Sequence, residues 1–421
     1  MQQPYPGSYK TSLENGLSVL VEPLPDRPLA LGIWATVGSR DETKERAGVA
    51  HFLEHMVFKG TKRRTAFQVS EEVDALGGYI NALTHKEYTL FHMDSLPQHL
   101  EASLDILTDL VKAPLFQPED ILKEKGVVLE EIRMVEDDPQ EKVFDLFTEK
   151  IWDHDHPLSR PILGRPETIL NLSREGLLSQ HAYYHPKNLI LTAAGEVKPE
   201  DVVRVAREKL GDLPVGSELP GRRPPLPRAH FYLEDRDSQQ AHLCLGTQGI
   251  SRHDERRFAL DVLNTVLGGG MSSRLFKRIR EDLGLAYAVF SASSSYLDSG
   301  LFMVYIGTEP RNARQAVEIA HEEVERLTRE PVPAETLRIA KEKLKGNLLL
   351  AMETSNSRMV RLGVGELYGL HMPVEELTAK IEAVTSEDIL EIALALFGHN
   401  NLSLCMIGPE RELSGLEKAF S

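Results

Sequence analysis

Hydrophobic residues along this chain follow two patterns, short apolar runs and longer stripes that return every three to four positions. The runs are typical of strands, and the stripes are typical of helices packed on one side. The runs predict strands at residues 17–21, 29–37, 79–84, 87–96, 188–194, 241–247, 286–294, 300–306 and 401–407. The stripes predict helices around residue 51 and at 69–76, 199–210, 255–267 and 273–281, with several more within 100–182 and 311–396. Strands and helices therefore alternate through the whole chain.

The order of predicted elements in the first half returns in the second half. Between the halves, residues 211–228 contain five prolines, which favour an extended linker. A repeat of this length indicates duplicated units. We therefore predict an α+β fold with two homologous domains, each a mainly antiparallel β-sheet flanked by helices. The predicted boundaries are 1–213 for the N-terminal domain, 214–228 for the linker and 229–421 for the C-terminal domain.

The most distinctive stretch is His51-Phe52-Leu53-Glu54-His55. On an α-helix these spacings place both histidines and the glutamate within one arc. The flanking residues are nearly all apolar, so the helix is predicted to be buried, at a cost of about 2–7 kcal/mol for each polar group without a partner. A divalent metal removes that cost, because neutral imidazoles are good zinc ligands and a nearby carboxylate can polarise a water. The stretch therefore predicts a metal site, whereas the corresponding residues 261–265 of the second half carry no such ligands.

A third ligand is expected elsewhere in the first half, because catalytic zinc usually takes three protein ligands. The helical pattern after residue 120 offers Glu124 and Glu131, which share one stripe with Val128, while Glu130 points about a quarter of a turn away. Glu131 is therefore the better candidate ligand, and Glu124 could orient a ligand from behind. Without the histidine pair, solvated helix charges would be the better explanation of these glutamates.

Charge and composition limit the classes of partner and compartment. The formal net charge of −16 argues against a general nucleic-acid binder, because no basic stripe offsets it. No apolar run approaches the ~18 residues of a membrane span, and the start of the chain lacks the pattern of a secretory signal. Cys244 and Cys405 are predicted to be buried free thiols, which suit a reducing compartment. We expect a cytoplasmic protein without nucleic-acid or membrane partners.

The motif His51-x-x-Glu54-His55 is the inverted zinc signature, and Glu131 follows at about the separation seen in the pitrilysin-type inverzincin peptidases. The chain resembles the branch of that family containing the mitochondrial processing peptidase and its bacterial relatives. The similar segments are 17–21, 38–40, 51–60, 78–84 and 267–276. The resemblance implies one zinc ion per chain, bound by His51, His55 and Glu131. It also implies that Glu54 is the general base, which takes a proton from the attacking water and passes it to the leaving amine.

The resemblance further implies a role for Arg280 and Tyr287, which match an arginine and a tyrosine seven residues apart near the reacting carbonyl in family members. A strand tyrosine taken alone is more often a packing residue. Because this chain carries both the zinc motif and that pair, a homodimer is implied, with a composite active site formed by the metal half of one chain and the second domain of the other.

Two sets of residues are candidates for substrate binding. Asn81 and Ala82 lie in a segment that resembles the family's edge strand, to which an extended peptide adds as a further strand. From the pattern alone, the glycines before it could equally make a simple turn. Glu141 and Asp145, one helical turn apart, match positions that bind an arginine in the processing peptidases. They suggest a preference for basic residues near the cleavage site.

The main hypothesis is therefore a zinc metalloendopeptidase that cleaves short or unfolded peptides, with precursor processing as one possible task. A non-catalytic structural subunit, like the core proteins of respiratory complexes that share this fold, is the alternative. A zinc hydrolase with a non-peptide substrate is compatible with the metal residues but has no other support. Erosion of the zinc motif is typical of the structural subunits, and His51, Glu54, His55 and Glu131 are all present here.

Overall fold

The computed structural model describes residues 1–153, 155–398 and 401–416, and these form two compact units. The first unit contains Met1–Arg133, Arg160–Arg222 and Leu349–Pro373. The second contains Met134–Ser159, Arg223–Leu348 and the described residues from Val374 onward. Each unit has one β-sheet with helices on it, which confirms the predicted α+β class.

The sheet of the first unit has six strands among the described residues, in the order β1-β2-β6-β3-β5-β4. These are β1 (Tyr9–Ser12), β2 (Ser18–Pro23), β3 (Leu29–Ala35), β4 (Tyr79–Thr84), β5 (Thr89–Ser95) and β6 (Leu189–Gly195). All pairs are antiparallel except β2 with β6. Strand β4 lies at one edge and pairs, among the described strands, with β5 alone. Its outer side is therefore open to a further strand.

The sheet of the second unit repeats this arrangement, with no counterpart of β1 among its described strands. Its described strands are β7 (Phe231–Asp235), β8 (Ala241–Gly249), β9 (Ala286–Ser295), β10 (Gly300–Thr308) and β11 (Ser403–Gly408), in the order β7-β11-β8-β10-β9. The pair β7 with β11 is parallel, like β2 with β6 in the first unit, and the other pairs are antiparallel. The two sheets thus share one strand order, as expected for homologous halves.

The helices also follow a repeated order. The first half of the chain contains α1 (Val49–Val57), α2 (Ala66–Ala75), α3 (Leu100–Lys112), α4 (Pro118–Asp137), α5 (Pro139–Ile151), α6 (Pro166–Asn171), α7 (Arg174–His181) and α8 (Pro199–Leu210). The second contains α9 (Arg257–Leu267), the π-helical segment Phe276–Asp282, α10 (Ala313–Arg329), α11 (Ala334–Ala351), α12 (Ser355–Tyr368), α13 (Val374–Ala383), α14 (Ser386–Phe397) and α15 (Glu410–Leu413). The π-helical segment stands where α2 stands in the first half.

One helix from each half of the chain belongs to the other unit. Helix α12 packs on β2, β3 and β6 of the first unit, where Met359 and Leu362 join a buried cluster around Trp34. Helix α5 packs on β8 and β11 of the second unit, where Phe147 joins a cluster that includes Tyr305. The compact units therefore differ from the contiguous segments 1–213 and 229–421, because each sheet buries one apolar face under a helix that the other half of the chain supplies.

Most predicted elements appear within a few residues of their expected limits, and α8 and β4 coincide with the predictions. The short strands β1 and β7 and the short helix α15 have no counterpart in the prediction. Both strands are exposed or half-buried along their length, so they lack the continuous apolar run that marks the inner strands. None of the described helices is long and apolar enough to cross a membrane.

Candidate metal centre

Helix α1 of the first unit carries the histidine motif, and the chain before it fixes where the helix begins. Gly48, immediately before α1, has a φ of 93°, and a Cβ there would lie 2.7 Å from the carbonyl oxygen of Leu163, so only glycine fits. The buried Glu42 carboxylate accepts hydrogen bonds from the backbone N–H groups of Gly48 (2.8 Å) and Ala50 (2.7 Å). Burial raises the pKa of Glu42 to about 8, and the hydrogen bonds from Ala50 and Gly48 act in the opposite direction. These contacts hold the first turn of α1 in place.

The apolar face of α1 is buried as predicted, and the motif side chains lie on its other side. Phe52, Leu53 and four further apolar residues of the helix are buried, whereas His51, Glu54 and His55 are half-buried. The two imidazole rings lie with their centroids 4.5 Å apart. The helix therefore presents three polar groups at one surface while the core anchors its back.

Glu131 on α4 completes a group of three possible metal ligands. Its Oε2 lies 3.8 Å from Nε2 of His51 and 3.6 Å from Nε2 of His55. One ligand atom from each residue lies within 4.8 Å of the other two, and no other group of this kind occurs among the described residues. Glu130 is exposed and pairs with Arg133, so the structure places it away from the group.

Glu124 lies behind His55, two turns before Glu131 on the same helix α4. Its Oε1 is 2.8 Å from Nδ1 of His55, and its Oε2 is 2.6 Å from Nζ of Lys59. Glu124 is buried, and its contact with Nδ1 fixes the orientation of the His55 ring. The other ring nitrogen, Nε2, therefore faces Glu131. This is the arrangement expected of a carboxylate that supports a metal-binding histidine.

The residues present fit a zinc ion. Tetrahedral zinc with bonds of about 2.0–2.2 Å requires two nitrogen ligands and an oxygen ligand at mutual separations of roughly 3.3–3.6 Å, close to the distances from Glu131 to both rings. The donor set of two imidazoles and a carboxylate is one that zinc accepts, with a fourth position left for water. Nε2 of His51 faces Glu131, and its Nδ1 is buried without a hydrogen-bond partner among the described residues, so Nε2 is the ring nitrogen available to a metal.

The ionisation of the two rings differs. Burial, helped by the neighbouring His55, lowers the pKa of His51 to about 4, so the ring is neutral. Burial also acts to lower the pKa of His55, but the hydrogen bond with Glu124 and the charges of Glu131 and Glu54 outweigh it, and the net shift is upward. His51 is therefore neutral and ready to bind a metal at neutral pH, whereas His55 holds its proton to a higher pH than a free imidazole does.

Glu54 lies between the two histidines in sequence and makes its own contact. Its Oε2 accepts a hydrogen bond from Oγ1 of Thr84, the last residue of the edge strand β4. Burial raises the pKa of Glu54, and the Thr84 hydroxyl acts in the opposite direction. Glu54 is thus a half-buried carboxylate with a raised pKa beside three possible metal ligands, and these properties suit a general base.

Asn81 and Ala82 lie on β4, the strand with the open edge. Tyr79, Asn81 and Leu83 are exposed, and Ile80 and Ala82 pack on the core, so the strand alternates between its two faces. The Asn81 amide donates to the Tyr79 hydroxyl at 2.8 Å and accepts from the Ala82 N–H at 2.8 Å. The predicted edge strand is thus present, with main-chain groups accessible on one side.

The remaining candidate residues lie in the second unit. Arg280 belongs to the π-helical segment, and its guanidinium stacks on the rings of Tyr287 (4.8 Å) and Phe276 (4.9 Å). Arg280 and Tyr287 line a cavity of about 400 Å³ at the start of β9, and Tyr287 is 78% exposed. Glu141 is exposed in the first turn of α5, and Asp145 is half-buried one turn later. The structure therefore brings together Arg280 with Tyr287, and places Glu141 one turn from Asp145.

Three residues near the cluster of His51, His55 and Glu131 were not predicted from the sequence. They are Glu42, Lys59 and Thr84. Lys59 follows His55 by four residues, a spacing that could have suggested a shared side. Thr84 ends the alternating pattern of β4 and could have been placed on the core face. Nothing in the local pattern connects Glu42 to the start of α1, because the residues between them form an irregular loop and a short 3-10 turn.

Comparisons with known proteins cover most of the chain and agree with one another. Residues 18–165 match the family model described as insulinase (peptidase family M16), and residues 171–344 match the peptidase M16 inactive domain. A protein of Streptomyces coelicolor described as an uncharacterized zinc protease is 40% identical, over 98% of this chain and 92% of its own. One of Bacillus subtilis with the same description is 38% identical, over 94% and 97% respectively.

Solved structures agree with the fold. A protease from Helicobacter pylori covers 96% of this chain over its full length with a TM-score of 0.89 and 23% identity. A peptidase M16 inactive domain from Pseudomonas fluorescens gives the same TM-score with 21% identity, over 96% of this chain and 98% of its own. The two family models, the relatives and the shared fold lead to one conclusion: the chain belongs to peptidase family M16, the pitrilysin-type peptidases.

Proposed function

We propose that this protein is a zinc-dependent metalloendopeptidase. The observation that carries the proposal is the convergence of His51, His55 and Glu131 in the first unit, with the Glu54 carboxylate on the same helix as the histidines. The relatives described as zinc proteases support it. One zinc ion per chain would be held by these three ligands, and Glu124 would orient His55.

Zinc at this position would polarise the attacking water and the scissile carbonyl. Glu54 would take the proton from the water and deliver it to the leaving amine, a step worth about 10²- to 10⁴-fold in rate. Arg280 and Tyr287 would act on the carbonyl side, where a hydroxyl donor stabilises the developing negative charge. Their mutual stacking supports a joint role for the two side chains.

The substrates we propose are short or unfolded peptides in an extended conformation. Strand β4 supports this, because its open edge offers main-chain hydrogen bonds to any peptide sequence. Asn81 and Ala82 would contact the peptide backbone there. A folded substrate could not supply an unpaired strand without local unfolding.

A preference for basic residues near the cleavage site is a further part of the proposal. Glu141 and Asp145 on α5 would bind an arginine or lysine side chain through their carboxylates. Peptide libraries that differ only in arginine or lysine near the scissile bond test this. Equal cleavage of basic and neutral members would refute the preference and leave the zinc chemistry intact.

We also propose a homodimer with a composite active site, acting in the cytoplasm. Both the zinc group and the Arg280–Tyr287 pair occur in one chain, so two identical chains would supply every group. Activity should return when inactive Glu54→Gln chains are mixed with inactive Arg280→Ala chains. Failure of such mixtures would count against sharing of the site. The free buried thiols of Cys244 and Cys405 suit the compartment, and cell fractionation would check it.

The experiment that tests the main proposal compares the wild-type protein with Glu54→Gln. Zinc content is measured by elemental analysis, and hydrolysis is followed with a quenched fluorescent peptide. We expect one zinc per chain in both proteins and hydrolysis in the wild type alone. A wild type that binds no zinc and cleaves no peptide would instead indicate a non-catalytic structural subunit.

A further inference from the structure

Thr84 joins two parts of the first unit that the proposed function uses separately. It is the last residue of β4, the strand to which the peptide would add, and its hydroxyl donates to Oε2 of Glu54, the proposed base. The base and the open strand edge are therefore connected by one side chain. Any catalytic role of this connection rests on the proposed function, because it requires Glu54 to act as a base.

The position of the Thr84 hydroxyl is set by the sheet. Thr84 lies opposite Thr89 in the register of β4 and β5. The alternation of β4 places Thr84 on the same face as Ile80 and Ala82, which pack on the core that includes α1. The strand cannot turn its Thr84 side chain away from Glu54 without exposing this apolar face.

The second unit contains a similar contact with a different acceptor. Ser291 of β9, the edge strand, donates to Oδ1 of Asn264 on α9 at 2.7 Å. Both units thus connect the edge strand to the helix through a hydroxyl. The acceptor is a neutral amide in the second unit and a carboxylate in the first, so only the first contact orients a group that can take a proton.

We propose that Thr84 is a positioning residue for the Glu54 base. The terminal torsion of a glutamate has a broad minimum, so a free carboxylate samples many orientations. The bond from Thr84 fixes Oε2 and leaves Oε1 to face the attacking water. Because the hydroxyl belongs to the peptide-binding strand, base and substrate are oriented on one rigid element.

The test uses Thr84→Val, which removes the hydroxyl but keeps the branched shape, and Thr84→Ser, which keeps the hydroxyl. We expect kcat for a quenched peptide to fall about 10- to 100-fold in Thr84→Val, with KM changed by less than about twofold. Thr84→Ser should restore most of the rate. Thr89→Val, the same change on the opposite residue of β5, serves as the matched control and should keep kcat.

Two sets of measurements, in solution and in crystals, separate positioning from a structural role. Zinc content, thermal unfolding and binding of an uncleaved peptide to the metal-free protein should be alike in Thr84→Val and Thr84→Ser. Crystal structures of the metal-free proteins should show the Glu54 carboxylate in one orientation with threonine or serine and rotated with valine. If Thr84→Val does not fold, Thr84→Ala against Thr84→Ser provides the same comparison.

The outcomes are distinct. Wild-type rates in the hydroxyl-free variant, or a loss confined to zinc binding or KM, would overturn the positioning role while the zinc peptidase stands. An unchanged Glu54 orientation in the hydroxyl-free variant would overturn it too. A wild-type protein without zinc-dependent hydrolysis would overturn the proposed function itself, and Thr84 would then have no base to position.

Discussion

Helices α1 and α9 stand at the same point in the order of elements of their units: α1 lies between β3 and β4, and α9 lies between β8 and β9. Their polar side chains, however, differ in chemistry. On α1, His51, Glu54 and His55 form the polar side, and on α9 the corresponding positions 261, 264 and 265 carry aspartate, asparagine and threonine. Both helices bury an apolar face against their own sheet. The fold thus accommodates either set of polar side chains, because the core contacts only the apolar side of each helix.

The groups around the two helices differ as well. In the first unit, α4 places Glu131 beside both histidines of α1 and places Glu124 on Nδ1 of His55. In the second unit the long helix in that position, α11, places the Lys343 ammonium on the carbonyl oxygen of Gly269, in the glycine-rich loop after α9. The second unit therefore has a lysine ammonium on a backbone carbonyl at the place where the first unit has two carboxylates facing imidazole rings. The second unit has kept the fold and carries, among its described residues, no group of metal ligands.

The largest effect is expected from removing a ligand in one unit and the corresponding side chain in the other. His51→Ala should abolish zinc binding and peptide hydrolysis, because two ligands cannot hold catalytic zinc at low concentration. Asp261→Ala on α9 should leave both unchanged. Zinc content after dialysis, together with hydrolysis of a quenched peptide, measures the difference. Equal losses in both variants would break the assignment of the chemistry to the first unit.

The second unit is expected to contribute through Arg280 and Tyr287 without binding metal. Tyr287→Phe removes a hydroxyl donor and should lower kcat about 10²- to 10³-fold, the effect typical of an oxyanion donor. Zinc content should not change. Steady-state kinetics and metal analysis on the same samples provide the check. If zinc were lost from Tyr287→Phe, the division of roles between the units would be wrong.

Zinc binding should depend on pH through His55 rather than His51. The pKa of His55 is raised above its usual value, so zinc must displace a proton from that ring, and affinity should increase with pH up to this pKa. His51, with a pKa of about 4, is already neutral there. Calorimetry in buffers of different ionisation enthalpy should detect proton release on zinc binding below the raised pKa of His55, and this release should fade as the pH rises through that pKa. Zinc binding without proton release would contradict this assignment.

Glu124→Gln sharpens the same measurement. The amide no longer stabilises the protonated ring, so the pH dependence should move to lower pH, while zinc affinity falls about 10- to 100-fold because the ring is less firmly oriented. Titrations of both proteins over the same pH range provide the comparison. An identical pH profile in the variant would show that Glu124 does not control the ionisation of His55.

The smallest effect concerns stability alone and contrasts two helical glycines. A Cβ at Gly363 of α12 would lie 2.0 Å from the Trp34 ring, so Gly363→Ala should destabilise the first unit by about 1–3 kcal/mol. Gly346 of α11 has no atom of the described residues within 4 Å of such a Cβ, and Gly346→Ala should stabilise by about 0.5–1 kcal/mol. Denaturant unfolding measures both. Equal effects would mean that α12 is not tightly packed on the sheet.

The sequence predicted the structure well where functional side chains recur with the period of a helix or a strand. The histidine motif, the Glu131 stripe and the alternating β4 could be identified because each shows its pattern within a few residues, and the structure places them accordingly. The exchange of α5 and α12 could not be found in this way. Both helices have ordinary amphipathic patterns, and the choice of sheet depends on contacts such as Gly363 with Trp34, distant in sequence. Hydroxyl contacts such as that of Thr84 depend on the register of strand and helix, which local pattern does not specify.

The position of α12 in the chain also has a consequence for synthesis. The sheet that supports the histidine motif buries one face under residues 355–368, so this unit stays incomplete until the ribosome has translated α12. Domains usually fold from the N-terminus as they emerge. Here the motif at residue 51 emerges long before the helix at residues 355–368 that covers its sheet, and we expect the nascent chain to bind zinc only after that helix has emerged. Stalled ribosome complexes of increasing length would reveal when zinc binding begins.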